Sequence, residues 1–138
     1  MKKAPHILAL LIGTLITFSC KNDVTEDMNE ENQSIITFTI DNPIQGATYD
    51  LNDTVHIDVM LSAERLLDGY HLRLVNTSDN NSIVWEEDDH DHSTTLHIHD
   101  YWINDVTMHS DMRLDIEGFT THQGESETTS VSFHCHPM

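Results

Sequence analysis

Residues 54–61, Thr-Val-His-Ile-Asp-Val-Met-Leu, put Val55, Ile57, Val59 and Leu61 on one side of an extended chain and Thr54, His56, Asp58 and Met60 on the other. A period of two is the mark of a half-buried β-strand; on a helix those four apolar side chains would be scattered around the axis. The same alternation recurs in short runs bounded by turn residues. Ile35 to Ile40, Tyr70 to Leu74, Ser82 to Trp85, Thr94 to His99, Met112 to Ile116 and Thr129 to His136 each read as a strand. Asp41-Asn42-Pro43, Gln45-Gly46, Asp50 to Asp53, Asn76 to Asn81 and Gln123-Gly124 supply turn chemistry between them. Ser62 to Asp68 reads as a link with room for one helical turn, and Asp100 to Asp105 as a connector whose aromatic pair, Tyr101 and Trp102, plugs one end of the core. No amphipathic helix longer than about two turns is present in the pattern.

About seven short strands with turns every 8–12 residues specify an all-β, immunoglobulin-like antiparallel β-sandwich over residues 34–138. Asp41-Asn42-Pro43, then Gly46, then Asp53-Thr54-Val55 resembles the first two strands of bacterial immunoglobulin-like surface modules. That resemblance implies architecture and no activity.

The remaining residues read as an address and a tether. Lys2 and Lys3 precede a twelve-residue apolar run, Ile7 to Phe18, which is short for a membrane span. It ends in Ile16-Thr17-Phe18-Ser19-Cys20, which resembles the lipobox of bacterial lipoproteins. The resemblance implies a signal peptide over residues 1–19, lipidation of Cys20 and a place in the cell envelope outside the cytoplasm. Residues 20–33 are polar and acidic, a flexible tether. Together these features resemble a small His-rich lipoprotein of Bacteroidota type, a group that implies no function. With the leader gone, Lys21, Arg65, Arg73 and Arg113 face 24 acids, a formal charge of −20. Such a surface excludes nucleic acid and favours cations. Only Cys135 follows Cys20, so no disulfide is expected within the domain.

Histidine is the unusual residue. Ten follow the leader, six of them in His-x-His pairs: His90/His92, His97/His99 and His134/His136. On one strand face, residues i and i+2 stand about 7 Å apart, near enough for two imidazoles to share an ion. The run Glu86 to His92 carries five carboxylates and two imidazoles with no apolar residue and reads as an exposed loop. In a sandwich the strand 54–61 pairs with the strand of His97 and His99, so His56, Asp58, His97 and His99 are expected to cluster with His90 and His92 overhanging. His134 and His136 are expected to face outward on the other sheet, near His109 or His71. Neutral imidazole with carboxylate suits zinc, copper or nickel, and no organic cofactor is called for.

His134-Cys135-His136 resembles the His-Cys-His of multicopper oxidases, and Leu96 to Tyr101 resembles the Phe-His-Val-His segment of copper–zinc superoxide dismutases. These short likenesses imply metal ligation and no reaction. Strand parity places Cys135 inward with Val131 and Phe133; it can ligate only if the strand ends before it. No metal-free catalytic set is suggested by any motif, so the chain is not expected to be an enzyme. The expected function is metal binding by a lipid-anchored module, whose partners are a transition-metal ion or an envelope protein. The alternative is an immunoglobulin-like module that binds protein or glycan and carries incidental surface histidines.

Overall fold

The computed structural model describes residues 35–120 and 125–137. The expected signal peptide, the tether, Cys20, His122 and the turn at Gln123-Gly124 lie outside the described residues. Eight strands form two sheets: β1 (Ile36–Asn42), β2 (Thr48–Tyr49), β3 (Thr54–Ala63), β4 (Leu67–Asn76), β5 (Ser82–Asp89), β6 (Thr95–Ile103), β7 (Ser110–Thr120) and β8 (Ser126–Cys135). One sheet has the order β1-β3-β6 and the other β2-β8-β7-β4-β5. All pairings are antiparallel except β2 on β8, which is parallel. This is an immunoglobulin-like sandwich, all β, with no helix among the described residues.

Alternation sets the two faces. Val55, Ile57, Val59 and Leu61 of β3, with Leu96, Ile98 and Trp102 of β6, are buried against Leu72 and Leu74 of β4, Met112, Leu114 and Ile116 of β7, and Val131, Phe133 and Cys135 of β8. Each fully buried aliphatic side chain of this kind stabilises the fold by about 1.5–3 kcal/mol, so the inward register is strongly specified. A one-residue slip of β3 would expose all four of its core residues and bury His56 and Asp58 in their place.

Four details differ from the sequence reading. The eighth strand is β2, a two-residue edge segment within what reads as turn chemistry, held by His134 N–H to Ala47 O (2.8 Å) and His136 N–H to Tyr49 O (2.9 Å). Ser62 to Asp68 contains a bend and the start of β4, not a helical turn. Asp100 to Ile103 continues β6, so Trp102 enters the core while Tyr101 stands 58% exposed. Glu86 to Asp89 is strand, paired with Tyr70 to Arg73, because an edge strand needs a partner on one side only and its charges discourage a second. Where β4 starts, a register shift falls between Leu67 and Gly69. Gly69 has φ +145°, and an added Cβ would collide with the carbonyl of Asp89.

Candidate metal centre

β8 and its extension carry two outward imidazoles. Cys135 is fully buried, so His134 and His136 on either side of it point away from the core. His136 lies one residue beyond the strand, yet its backbone stays in line through its N–H to Tyr49 O. On the neighbouring strand, Ser110 pairs with Cys135 and Asp111 with His134. The residue before Ser110 is His109, at the end of the β6–β7 loop, and the register therefore delivers it beside His136.

The three rings meet. His109 and His136 have centroids 4.6 Å apart at 72°, His134 and His136 4.8 Å apart at 82°, and His109 and His134 5.9 Å apart at 21°. One ring nitrogen from each lies within 4.8 Å of the other two. Among the described residues no other three histidine, cysteine or carboxylate side chains come this close. Nitrogens on one tetrahedral zinc stand about 3.3 Å apart, so small side-chain rotations complete the geometry.

One carboxylate orients a ring by a hydrogen bond, and a second stands near another ring. Asp111 Oδ1 lies 2.8 Å from His134 Nδ1, and Asp50 Oδ1 lies 3.6 Å from His136 Nδ1. An ionised carboxylate only accepts, so the 2.8 Å contact makes Nδ1 of His134 the N–H and leaves Nε2 with its lone pair free. That is the carboxylate–histidine arrangement found behind metal ligands, where it orients the ring and raises its basicity. His109 is exposed, and the cluster opens to solvent on that side. Three imidazoles with an open fourth position suit a borderline divalent ion.

The other expected ligands lie outside this cluster. His56, Asp58, His97 and His99 share the outer face of the three-stranded sheet, with Asp58 opposite His99, His56 opposite Tyr101 and His97 opposite Met60. His99 Nδ1 lies 2.7 Å from Asp58 Oδ1, and Asn42 Nδ2 donates to Asp58 Oδ2 at 2.9 Å. These two hydrogen bonds, His99 first, hold the Asp58 carboxyl below the usual carboxylate range. Asp58 thus orients His99 as Asp111 orients His134, but among the described residues no third ligand comes within reach of this pair. His90 and His92 do not join them: both turn to Asp68, His90 Nδ1 to its carbonyl at 3.1 Å and His92 Nδ1 to its carboxylate at 3.4 Å. His71 lies 3.8 Å from Glu86, away from His134 and His136. Cys135 belongs to the core, where burial pushes its thiol up to about 12; it faces away from the imidazoles and is not part of their cluster.

The sequence places His109 near His134 and His136 through strand order but gives no reason to rank it as a ligand. Asp50 and Asp111 are missed altogether. Asp50 reads as a turn residue, and Asp111 is found only from the register of β7 against β8. The chain matches no protein-family model and no curated protein, so the reading of this centre rests on its own geometry.

Proposed function

We propose that this chain is a lipid-anchored envelope protein whose β-sandwich binds one divalent zinc, copper or nickel ion through His109, His134 and His136, serving as a buffer, sensor or handover module. The observation that carries the reading is the meeting of three imidazoles from two chain segments, one of them oriented by a hydrogen-bonded carboxylate. The open coordination side and the −20 formal charge of the leaderless chain favour cation capture and exchange over permanent structural binding. The lipid anchor is supported by residues 16–20 alone; Cys20→Ser is expected to release the protein from the membrane fraction.

Calorimetric titration of the purified protein with Zn(II), Ni(II) and Cu(II) tests the metal reading. One tight equivalent is expected, lost in His134→Ala/His136→Ala and retained in His97→Ala/His99→Ala. Affinity is expected to fall below about pH 6, where protons compete for imidazole. Weak multi-site uptake by the parent, or a tight site surviving in the His134/His136 variant, overturns it. A second reading, a protein- or glycan-interaction module, draws on Tyr101 and Ile103, which stand 58% and 48% exposed on the outer face of the three-stranded sheet. It gains if the titration finds no stoichiometric site.

A further inference from the structure

Asn104 lies just past the end of β6 with no exposed surface, a fully buried carboxamide. Its Nδ2 donates to two carbonyls, Tyr49 O at 3.2 Å and His136 O at 3.1 Å. Its Oδ1 accepts the N–H of Val106 at 3.2 Å. Its backbone N–H donates to Asp53 O (2.9 Å), and its carbonyl accepts the N–H of Asn52 (2.8 Å). Every polar group on the residue is therefore used, and the bonds fasten three separate stretches of chain to one point.

Each stretch carries part of the centre. Tyr49 is followed by Asp50, the carboxylate beside His136. His136 itself lies beyond the last residue of β8, where the β7–β8 ladder has ended. Val106 begins the run that reaches His109 three residues later. His134 differs, because it lies inside the ladder opposite Asp111 and has no bond to Asn104. From this, and resting on the metal reading above, we infer that Asn104 is the positioning residue of the metal centre: it holds His136 and His109 at ligating distance, and His134 is placed without it.

The consequence is a specific pattern of coupling. Removing the Nδ2 donors frees the His136 carbonyl, so the tail beyond Cys135 keeps only its N–H bond to Tyr49. An ion at the site then loses an imidazole while the sandwich stays folded. Loss of a group that orients a ligand typically weakens metal binding 10–100-fold. In a double-mutant cycle, Asn104→Ser should couple strongly with His136→Ala and add independently to His134→Ala.

The test uses the purified full chain with Cu(II) as probe, measuring affinity by calorimetry and the number of nitrogen ligands by electron paramagnetic resonance. Apo stability is followed by urea unfolding. The expected result for Asn104→Ser is a 10–100-fold weaker Kd, one nitrogen ligand fewer, and no further loss when His136→Ala is added. If Asn104→Ser does not fold, Asn104→Thr fills more of the carboxamide's volume, keeps an oxygen that accepts from Val106 and still lacks the amide donors, and the same outcomes apply. Unchanged nitrogen ligation, or equal coupling to His134 and His136, overturns the assignment and leaves Asn104 a packing residue. A parent chain that takes up no stoichiometric Cu(II) refutes the metal reading itself, seen without any Asn104 variant, and the assignment falls with it.

Discussion

Glu87 is the carboxylate whose environment is least suited to its charge. It sits on the edge strand β5 opposite Leu72, and Tyr70 OH donates to its Oε1 at 3.1 Å. Its Oε2 is buried with no hydrogen-bond partner. Asp100 approaches from β6, the edge strand of the other sheet. Two ionised carboxylates have no proton to share between them. Burial first, and then the Asp100 carboxylate, therefore raise the Glu87 carboxyl above its usual range, outweighing the Tyr70 hydrogen bond, which lowers it. A raised folded-state value means that the protonated form stabilises the fold. That contribution is full below the ordinary glutamate value of about 4.3 and is lost as pH rises through the folded value. Glu87→Gln supplies the missing donor at every pH, its amide N–H facing Asp100 and its carbonyl accepting from Tyr70. An unsatisfied buried polar atom costs about 1–3 kcal/mol, and partial exposure of this residue reduces the gain to about 1–2 kcal/mol at pH 7. For a domain of this size that is a rise in Tm of roughly 5–10 °C. The assay is urea unfolding of parent and variant at pH 7 and again near pH 4, where Glu87 carries its own proton and the two proteins should converge. A variant less stable than the parent at pH 7, or an equal gain at both pH values, refutes this account of the flank between the sheets.

Asp111→Asn is expected to weaken Zn(II) or Cu(II) binding about 10–100-fold with the fold intact, since it removes the carboxylate that orients His134; calorimetry reads this directly. Cys135, buried and with its thiol pushed up to about 12, should resist iodoacetamide in the folded protein and react only in urea, and Cys135→Ser should leave metal stoichiometry unchanged. Gly69→Ala should cost about 2 kcal/mol or more, through its φ of +145° and the collision with the Asp89 carbonyl, with faster amide exchange in β5 as the local mark.

Much of the sandwich is legible because inward and outward residues alternate cleanly. The inward residues of Val55 to Leu61 and Met112 to Ile116 all lie in the core. The reading fails where charge or aromaticity masks the period. Glu86 to Asp89 has no apolar residue to show a face, yet backbone pairing with β4 on one side is enough to make it strand. Tyr101 and Trp102 look like a paired plug, but each falls on the side that its strand position dictates. β2 is two residues long and parallel, and it is visible only through its bonds to β8. The candidate site is harder still, since Asp50, Asn104 and His109 lie in turns and loops, where sequence sets no register.

The two outward His-x-His pairs on strands show why one suits an ion better. Within a regular strand the partners stand about 7 Å apart, so a third ligand must come from the strand alongside. For His97 that neighbour is Met60, which offers no nitrogen or oxygen, and for His99 it is Asp58, which no third ligand joins among the described residues. His134 and His136 straddle the end of a strand instead. The ladder with β7 stops at Cys135, the two rings stand 4.8 Å apart between centroids, and the loop before β7 brings His109 in beside His136 as the third imidazole. The strand end also explains the exposure, since there is no further residue of β7 to cover the open side. A site built this way depends on whatever holds the tail and the loop together, so its affinity should respond to Asn104 more steeply than the stability of the sandwich does.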